Sequence, residues 1–227
     1  MEPFEITALV PMRHASERVP GKNYRPFAGK PLFHHIVSQL LSCPAISSVV
    51  VNTDSPIIAA QLAEHFPTVR VLHRPPSLCG GMVPMNDVLC YDVMQTSAPI
   101  YLQTHSTNPL LGADTIGRAI EAFRTNTRGC DSLFSVTPLR TRLWFADGSP
   151  VNHDPAVLIR TQDLTPIYLE NSCLYMFRRE VFLRTRNRIG ESPMFFEMSP
   201  LEAVDIDEEL DFSIAEHLYT TLKGPAR

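Results

Sequence analysis

Several common signatures are missing from this chain of 227 residues. It has no apolar run near the roughly 20 residues that a membrane-spanning helix needs, so we expect no membrane partner. Its formal net charge is −4. General nucleic-acid binding needs a strongly basic face, so we expect no nucleic-acid partner. Acidic residues precede the first short apolar run, so we also expect no secretory signal.

Cysteine is sparse and scattered. The five cysteines form no C-x-x-C pair, and structural zinc sites usually rely on closely spaced ligands. An odd, dispersed set is typical of reduced thiols, which predicts a cytoplasmic protein without zinc. No Ser/His/Asp or Cys/His signature indicates nucleophilic catalysis.

Glycine is scarce too, with ten glycines against twenty prolines. Neither G-x-x-x-x-G-K-[ST] nor G-x-G-x-x-G occurs, which excludes the two usual glycine-rich phosphate loops. Proline is poorly tolerated inside helices and central strands, so its abundance predicts many stiff connections.

What the sequence does have is a regular alternation of strand and helix patterns. Strands are predicted at 6–11, 46–53, 69–72, 99–103 and 132–138, and helices at 31–42, 55–66, 85–96 and 113–126. A strand and helix are predicted over 172–185, then a short strand, acidic turn and helix over 201–222. This order predicts one α/β domain over 1–227, with a Rossmann-like, mostly parallel sheet flanked by helices.

Residues 139–170 break this alternation. They contain Trp144 and several prolines and have no clear period. Loops of this length are usually functional or disordered. We therefore expect an inserted arm or lid here.

A basic loop follows the first predicted strand. Between residues 13 and 30 it carries one anion, Glu17, and five cations: Arg13, Arg18, Lys22, Arg25 and Lys30. Ligands of open α/β sheets bind beyond the carboxyl ends of the strands, and such a loop can wrap a di- or triphosphate. A solvated basic loop is the alternative.

Two further features lie at predicted strand ends. Asp205 and Asp207 stand two apart, so an extended backbone places both on one side, as suits Mg²⁺ shared with substrate phosphates. Alternatively, they cap the helix that follows. His105 is the histidine best placed for ligand contact, although a plain surface role is the alternative. The basic loop and the acidic pair together predict a metal-assisted phosphoryl site.

Six stretches carry a resemblance to a known family. They are VPMRHASERVPGKN (10–23), AGKPLFHHIV (28–37), VVVNTDSPIIA (49–59), VLHRPPSL (71–78), YLQTHSTNPLL (101–111) and VDIDEELDF (204–212). In this order they resemble the cytidylyltransferases that activate 2-keto-3-deoxy sugar acids, and they span nearly the whole chain. Together with LENSCLYMF (169–177), the segment around 103–110 is more similar to the acylneuraminate branch than to the octulosonate branch.

The resemblance implies a fold, a reaction and an assembly. The fold is that of the nucleotide-diphospho-sugar transferases. The anomeric hydroxyl of the sugar acid attacks the α-phosphate of CTP, which yields a CMP-sugar and pyrophosphate with the help of Mg²⁺. Residues 139–170 match the region that crosses to a partner subunit, so the resemblance also implies a homodimer.

The resemblance further implies roles for individual residues. Arg13, Arg18, Lys22 and Asn23 would bind the nucleotide phosphates, with Arg74 near the cytidine. Gln103, Arg160 and Asn171 would contact the sugar acid, with His105 inserted beside them. Asp205 and Asp207 would hold Mg²⁺, and Arg13, Lys22 and Asp207 would be the catalytic residues.

Three departures keep alternatives open. Glu17 stands where the acylneuraminate branch has lysine, Met85 where it has serine, and QTHSTNPLL where it has QPTSPLR. An octulosonate, pseudaminic- or legionaminic-type cytidylyltransferase is therefore one alternative. A non-catalytic nucleotide-binding homologue and a glycosyltransferase are the others.

Overall fold

The computed structural model describes residues 4–223, so the ends of the domain predicted over 1–227 lie outside the described residues. The strands are β1 (Ile6–Met12), β2 (Pro26–Phe27), β3 (Lys30–Pro31), β4 (Ser48–Thr53), β5 (Arg70–His73), β6 (Ile100–Thr104), β7 (Ser132–Leu139), β8 (Ile167–Arg178) and β9 (Pro193–Glu197). The helices are α1 (Leu32–Ser42), α2 (Pro56–His65), α3 (Met85–Gln95), α4 (Ala113–Arg124), α5 (Arg179–Thr185) and α6 (Glu209–Lys223).

The main sheet has seven strands in the order β5-β4-β1-β6-β8-β7-β9. β1 pairs in parallel with β4 and β6, and β4 pairs in parallel with β5. β8 runs antiparallel to both of its neighbours, while β9 is parallel to β7. This confirms the predicted α/β fold with a mostly parallel sheet.

Side chains of β1 alternate between the two faces of the sheet, as a strand buried on both sides requires. Ala8 and Val10 pack with residues of α1, α2 and α4 in one core cluster. Leu9 packs with residues of α3 and α5 in another. Helices therefore cover both faces. Among the residues described, no helix is both long and apolar enough to cross a membrane.

Local signals placed most helices within two residues of their observed bounds. α2 is an example, because Ser55 caps it by accepting a hydrogen bond from the Ile58 amide at 3.3 Å, and Pro56 follows in its first turn. Proline suits that position since its missing N–H would be unpaired there anyway.

The two-residue strands β2 and β3 were not predicted, and three longer elements also differ from the prediction. The strand predicted within 201–208 is wrong, because that stretch runs as turn and irregular backbone without a strand partner. β9 was missed, since it is a short strand at the edge of the sheet that begins at Pro193. β8 begins at Ile167, five residues before the predicted start at 172.

Residues 140–166, hereafter the exposed segment, connect β7 to β8. The two strands are antiparallel, and Leu139 pairs with Ile167 where the segment leaves and re-enters the sheet. Within it the structure has a short 3-10 helix, Thr161–Asp163, and an isolated bridge between Trp144 and Pro150. Most of its residues are exposed.

Candidate active site

A cleft of about 480 Å³ opens at the carboxyl ends of β1, β5 and β6. Of the residues that the sequence predicted as functional, its lining contains Arg13, Arg18, Lys22, Asn23, Arg74, His105 and Asp207. Glu17 and Met85, which depart from the resemblance, line it as well. The fold thus brings the basic loop and one member of the acidic pair to the same opening.

Gly21 fixes the turn that presents the basic loop. Its backbone is left-handed, with φ 65°, and a Cβ at this position would lie 2.9 Å from the ring of Tyr24. Glycine is the residue that adopts this conformation without steric cost. The 3-10 helix that follows, Lys22–Tyr24, holds the side chains of Lys22 and Asn23 in buried positions.

Asn23 joins two loops of the cleft. Its Nδ2 donates to the backbone oxygen of Arg13 at 2.7 Å, and its Oδ1 accepts from Ser106 Oγ at 2.6 Å. The loop after β1 is thereby tied to the loop after β6. The side chain is hydrogen-bonded to the protein at both amide atoms, so it helps to shape the basic loop.

Arg74 is held by a buried chain of polar groups. Its Nε donates to Asn52 Oδ1 at 2.6 Å, and Asn52 Nδ2 donates in turn to Asp92 Oδ1. Burial lowers the pKa of Arg74 and raises the pKa of Asp92 to about 6. No sequence pattern singled out Asp92, which lies in the helical pattern of α3, whereas Asn52 stood at a predicted strand end.

Asp207 faces the cations of the basic loop. Its Oδ1 accepts from Arg18 Nη2 at 2.6 Å and lies 3.9 Å from Lys22 Nζ. Lys22 Nζ also donates to the backbone oxygen of Ile206 at 2.5 Å. Burial lowers the pKa of Lys22, although the negative charges of Asp207 and Asp205 oppose that shift.

Asp205 lies beside this group but outside the lining of the cleft. Burial raises its pKa, and its Oδ1 is buried without a hydrogen-bond partner in the described part of the chain. Residues 4–223 contain no cluster of three or more His, Cys, Asp or Glu side chains that could hold a metal alone. An orphaned carboxylate oxygen near a second carboxylate fits a Mg²⁺ ion that takes its other ligands from phosphates or water.

Gln103 and His105 form a third group with Arg188, in the loop between α5 and β9. Arg188 Nη1 donates to Gln103 Oε1 at 2.7 Å, and Gln103 Nε2 lies 2.9 Å from His105 Nε2. Burial, with the charges of Arg188 and Lys22, lowers the pKa of His105 to about 3. Gln103 is fully buried and does not line the cleft. Sequence reasoning missed Arg188, which lies in a polar loop outside every motif.

The two remaining predicted residues lie away from the lining of the cleft. Arg160 belongs to the exposed segment and pairs with Asp163 at 2.7 Å. Asn171 is buried in β8, where its amide bonds to Ser135 Oγ at 2.6 Å and Thr137 Oγ1 at 3.0 Å. The single chain therefore does not bring these side chains to the cleft.

Glu17 lies close to Gly81, which also lines the cleft. A Cβ on Gly81 would lie 2.7 Å from Glu17 Oε1 and 3.4 Å from Arg13 Nη1. Gly81 thus allows both side chains to approach its backbone closely. The carboxylate of Glu17 is therefore in the neighbourhood of the Arg13 guanidinium.

Comparison with known proteins gives a consistent family. The cytidylyltransferase family matches residues 7–222. The chain is 27% identical to the CMP-N,N'-diacetyllegionaminic acid synthase of Legionella pneumophila, over 95% of this chain and 96% of that protein. It is 26% identical to N-acylneuraminate cytidylyltransferase A of Danio rerio, over 93% of this chain and half of that protein.

Two more similarities bear on the branch and the fold. The chain is 29% identical to the 3-deoxy-manno-octulosonate cytidylyltransferase of Trichlorobacter lovleyi, but over only 54% of this chain and 46% of that protein. Its fold is similar to a solved CMP:2-keto-3-deoxy-manno-octonic acid synthetase in complex with CTP, with a TM-score of 0.71 at 14% identity, covering 96% of this chain and 99% of that one.

Proposed function

This chain belongs to the cytidylyltransferase family and is a nucleotidyltransferase, and we propose that it activates a nine-carbon, acylneuraminate-like sugar acid with CTP. The reaction joins the anomeric oxygen of the acid to the α-phosphorus of CTP. It breaks the bond between that phosphorus and the oxygen that bridges it to the β-phosphorus. The products are a CMP-sugar and pyrophosphate, and the hydroxyl proton passes to solvent.

The observation that carries this proposal is the meeting of cations and carboxylates in one cleft. Arg13, Arg18 and Lys22 line the same opening as Asp207. Both substrates are anions, so cations must offset the repulsion between carboxylate and triphosphate. A site that positions and screens two anions needs no nucleophilic side chain, in agreement with the lack of a triad motif.

Support for a nine-carbon acid comes from the extent of the similarities. The legionaminic acid synthase matches along nearly its whole length, whereas the octulosonate enzyme matches about half of this chain. We place the triphosphate against Arg13 and Lys22, with Asn23 shaping their loop and Arg74 near the cytidine. The sugar acid then lies toward His105, with Gln103 behind it.

We propose that Asp205 and Asp207 hold Mg²⁺ together with the phosphates. When bound, the ion would neutralise charge on the phosphate oxygens and on the departing pyrophosphate. Arg18 has a more exposed side chain than Asp207 and forms a surface pair with it. Such pairs contribute little to stability, so Arg18 can exchange Asp207 for a phosphate oxygen when the nucleotide enters.

We also propose a homodimer built through the exposed segment, in the cytoplasm. Large apolar side chains stand in solvent there, among them Trp144, Phe145 and Leu158. A partner subunit would cover them, and closure of the segments over the cleft would bring Arg160 to the sugar acid. Asn171 in β8 would support that side of the subsite.

The test is a substrate panel. The protein is incubated with CTP, Mg²⁺ and N-acetylneuraminic, diacetyllegionaminic, pseudaminic or octulosonic acid, and pyrophosphate release is measured. We expect the highest kcat/KM with a nine-carbon acid, and no release when the acid or Mg²⁺ is omitted. CTP binding without release for every acid would instead identify a non-catalytic homologue, and a preference for octulosonate would overturn the nine-carbon assignment.

A further inference from the structure

Arg188 is a half-buried cation that forms no ion pair with any residue in the range 4–223. Its guanidinium carbon lies 3.5 Å from the centroid of the Tyr175 ring, and its Nη1 donates to Gln103 Oε1 at 2.7 Å. Tyr175 is itself fixed, because its hydroxyl donates to Glu170 Oε1. Arg188 is therefore held in place by stacking and aimed at a buried amide.

This contact fixes the orientation of the Gln103 amide. Arginine has only donors, so the atom that Arg188 contacts must be the amide oxygen. The amide nitrogen then points to the backbone oxygen of Thr104 at 3.1 Å and to His105 Nε2 at 2.9 Å. Both of its hydrogens are used in these two contacts.

The amide in turn sets the tautomer of His105. Since Gln103 Nε2 can only donate, His105 Nε2 must accept and cannot carry a proton. A neutral imidazole then carries its proton on Nδ1. His105 stays neutral near pH 7, because burial and two neighbouring cations lower its pKa to about 3.

The Nδ1–H group of His105 is suited to an anionic oxygen. His105 lines the cleft, and the charges of Arg188 and Lys22 both act on its ring. A neutral donor between two cations binds an anion without a charge of its own that would have to be desolvated. The anion common to all sugar acids of the proposed class is the carboxylate.

We propose that Arg188 is a positioning residue of the sugar-acid subsite: through Gln103 it holds His105 as the Nδ1–H tautomer, whose N–H binds the substrate carboxylate. This deepens the proposed function and rests on it for the identity of the carboxylate. Gln103 acts from behind His105 in this arrangement, and His105 donates a hydrogen bond without accepting the substrate proton.

The first experiment reads the tautomer by ¹⁵N NMR of the histidine side chains. In the wild type we expect a protonated Nδ1 and an unprotonated Nε2 for His105, assigned by loss of the signals in His105→Asn. In Gln103→Glu the carboxylate can only accept, so the proton should move to Nε2. A wild-type ring protonated at Nε2 would overturn the proposal, whatever the activity of the protein.

The second experiment separates the two substrates kinetically. Arg188→Met and Gln103→Glu should each raise KM for the sugar acid roughly 10- to 100-fold, the usual effect of losing a hydrogen bond to a charged group. KM for CTP should stay within about threefold of the wild-type value. The reason is that these variants lose contacts to the sugar acid and keep the contacts to the nucleotide. Arg188→Lys keeps the charge and a donor and should recover part of the loss.

The matched control is Arg184→Met, which removes an exposed arginine of α5 that pairs with Glu191. It should leave both KM values unchanged. Equal effects on both substrates in Arg188→Met, or an unchanged KM for the acid in Gln103→Glu, would overturn the proposal.

Titration of the protein with each substrate alone tests the role of His105 separately from the proposed reaction. Adding the sugar acid without CTP should shift the His105 Nδ1 signal, whereas adding CTP alone should not. A shift with CTP alone would assign the donor to the nucleotide and overturn the carboxylate assignment. A wild type that binds the acid at His105 but releases no pyrophosphate would contradict the proposed function and support this inference.

Discussion

The cleft and the exposed segment differ in which of their side chains the protein itself contacts. Around the cleft, the buried polar side chains of Asn23 and Arg74, and of Gln103 behind the lining, are all hydrogen-bonded to other protein groups. In the exposed segment, many polar groups are bonded as well, but large apolar side chains such as Leu158, 87% exposed, are left in solvent. The chain therefore satisfies these buried polar groups around the cleft and leaves the exposed segment with an uncovered apolar surface.

The polar contacts of the exposed segment are mostly internal. Arg140 donates to the backbone oxygen of Leu164 at 2.7 Å, and Asn152 donates to that of Thr141 at 2.8 Å. Such contacts give the segment a defined shape without docking it on the sheet. The exposed segment therefore has internal order but an uncovered apolar surface, which the proposed partner subunit would cover, whereas the polar side chains around the cleft are already held by other protein groups.

Loss of the Asp207 carboxylate from the cleft should have the greatest effect on activity. Asp207→Asn removes the charge that faces Arg18 and Lys22 and, by our proposal, a Mg²⁺ ligand. Pyrophosphate release should fall about 10²- to 10³-fold, in the range seen when one main electrostatic group is removed from an active site. The measurement is kcat/KM at saturating Mg²⁺.

Asp114→Asn is the control, since Asp114 is an exposed aspartate of α4 that pairs with Arg118. It should leave activity unchanged. An Asp207→Asn protein that keeps more than a tenth of the wild-type rate would contradict the metal assignment, and preserved CTP binding would show that the fold is intact.

The second prediction concerns the stability that is lost because the Asp92 carboxyl is buried behind Asn52 and Arg74. Asp92 is fully buried, and its pKa is raised from 3.8 to about 6. Between these values the native state binds more protons than the unfolded state, so stability falls as the pH rises from about 4 to 6. The loss over this window is roughly 3 kcal/mol at most, and Asp92→Asn should remove it.

Urea unfolding of both proteins at several pH values between 4 and 7 measures this difference. Asp87→Asn, at an exposed position of the same helix, should retain the wild-type slope. If Asp92→Asn shows the same decline with pH as the wild type, another group is responsible. An unchanged slope in both variants would show that the Asp92 carboxyl is not strained by its burial.

A charge on the exposed segment should have a smaller effect, and it should act on the proposed dimer. Leu158→Glu places a charge on the exposed segment, and if a partner covers Leu158 the dimer dissociation constant should rise at least about tenfold. Sedimentation equilibrium measures this constant. Met94→Glu, an exposed position on α3, should leave it unchanged, and a wild type that is monomeric at all concentrations would contradict the dimer.

Periodicity identified most of the fold because each central strand is buried on both faces and each helix has an apolar side. It failed at residues 201–208, where VDID alternates like a strand but no strand lies beside it. Ile206 is held there by single contacts, in which its amide donates to Thr107 O at 3.0 Å and its oxygen accepts from Lys22. β9 was missed because a five-residue edge strand that begins with proline gives little pattern.

Site residues that lie in a short sequence motif could be predicted. Those whose position depends on packing against distant residues could not. The basic loop and Asp207 meet at the cleft, although Asp207 follows irregular backbone and not the strand that was predicted before it. Arg188 and Asp92 escaped prediction, since each acts through a side chain far away in sequence, Gln103 in one case and Asn52 in the other. Such partnerships arise from the fold and leave no local motif.

The pairing of Leu139 with Ile167 has a consequence for how this protein can change. The exposed segment begins and ends at neighbouring positions of one antiparallel ladder, so its length is decoupled from the register of the sheet. Doubling such a loop costs only about 0.6 kcal/mol of closure entropy. The whole segment can therefore be lengthened, shortened or replaced while the strands of the sheet and the cleft at their carboxyl ends keep their geometry.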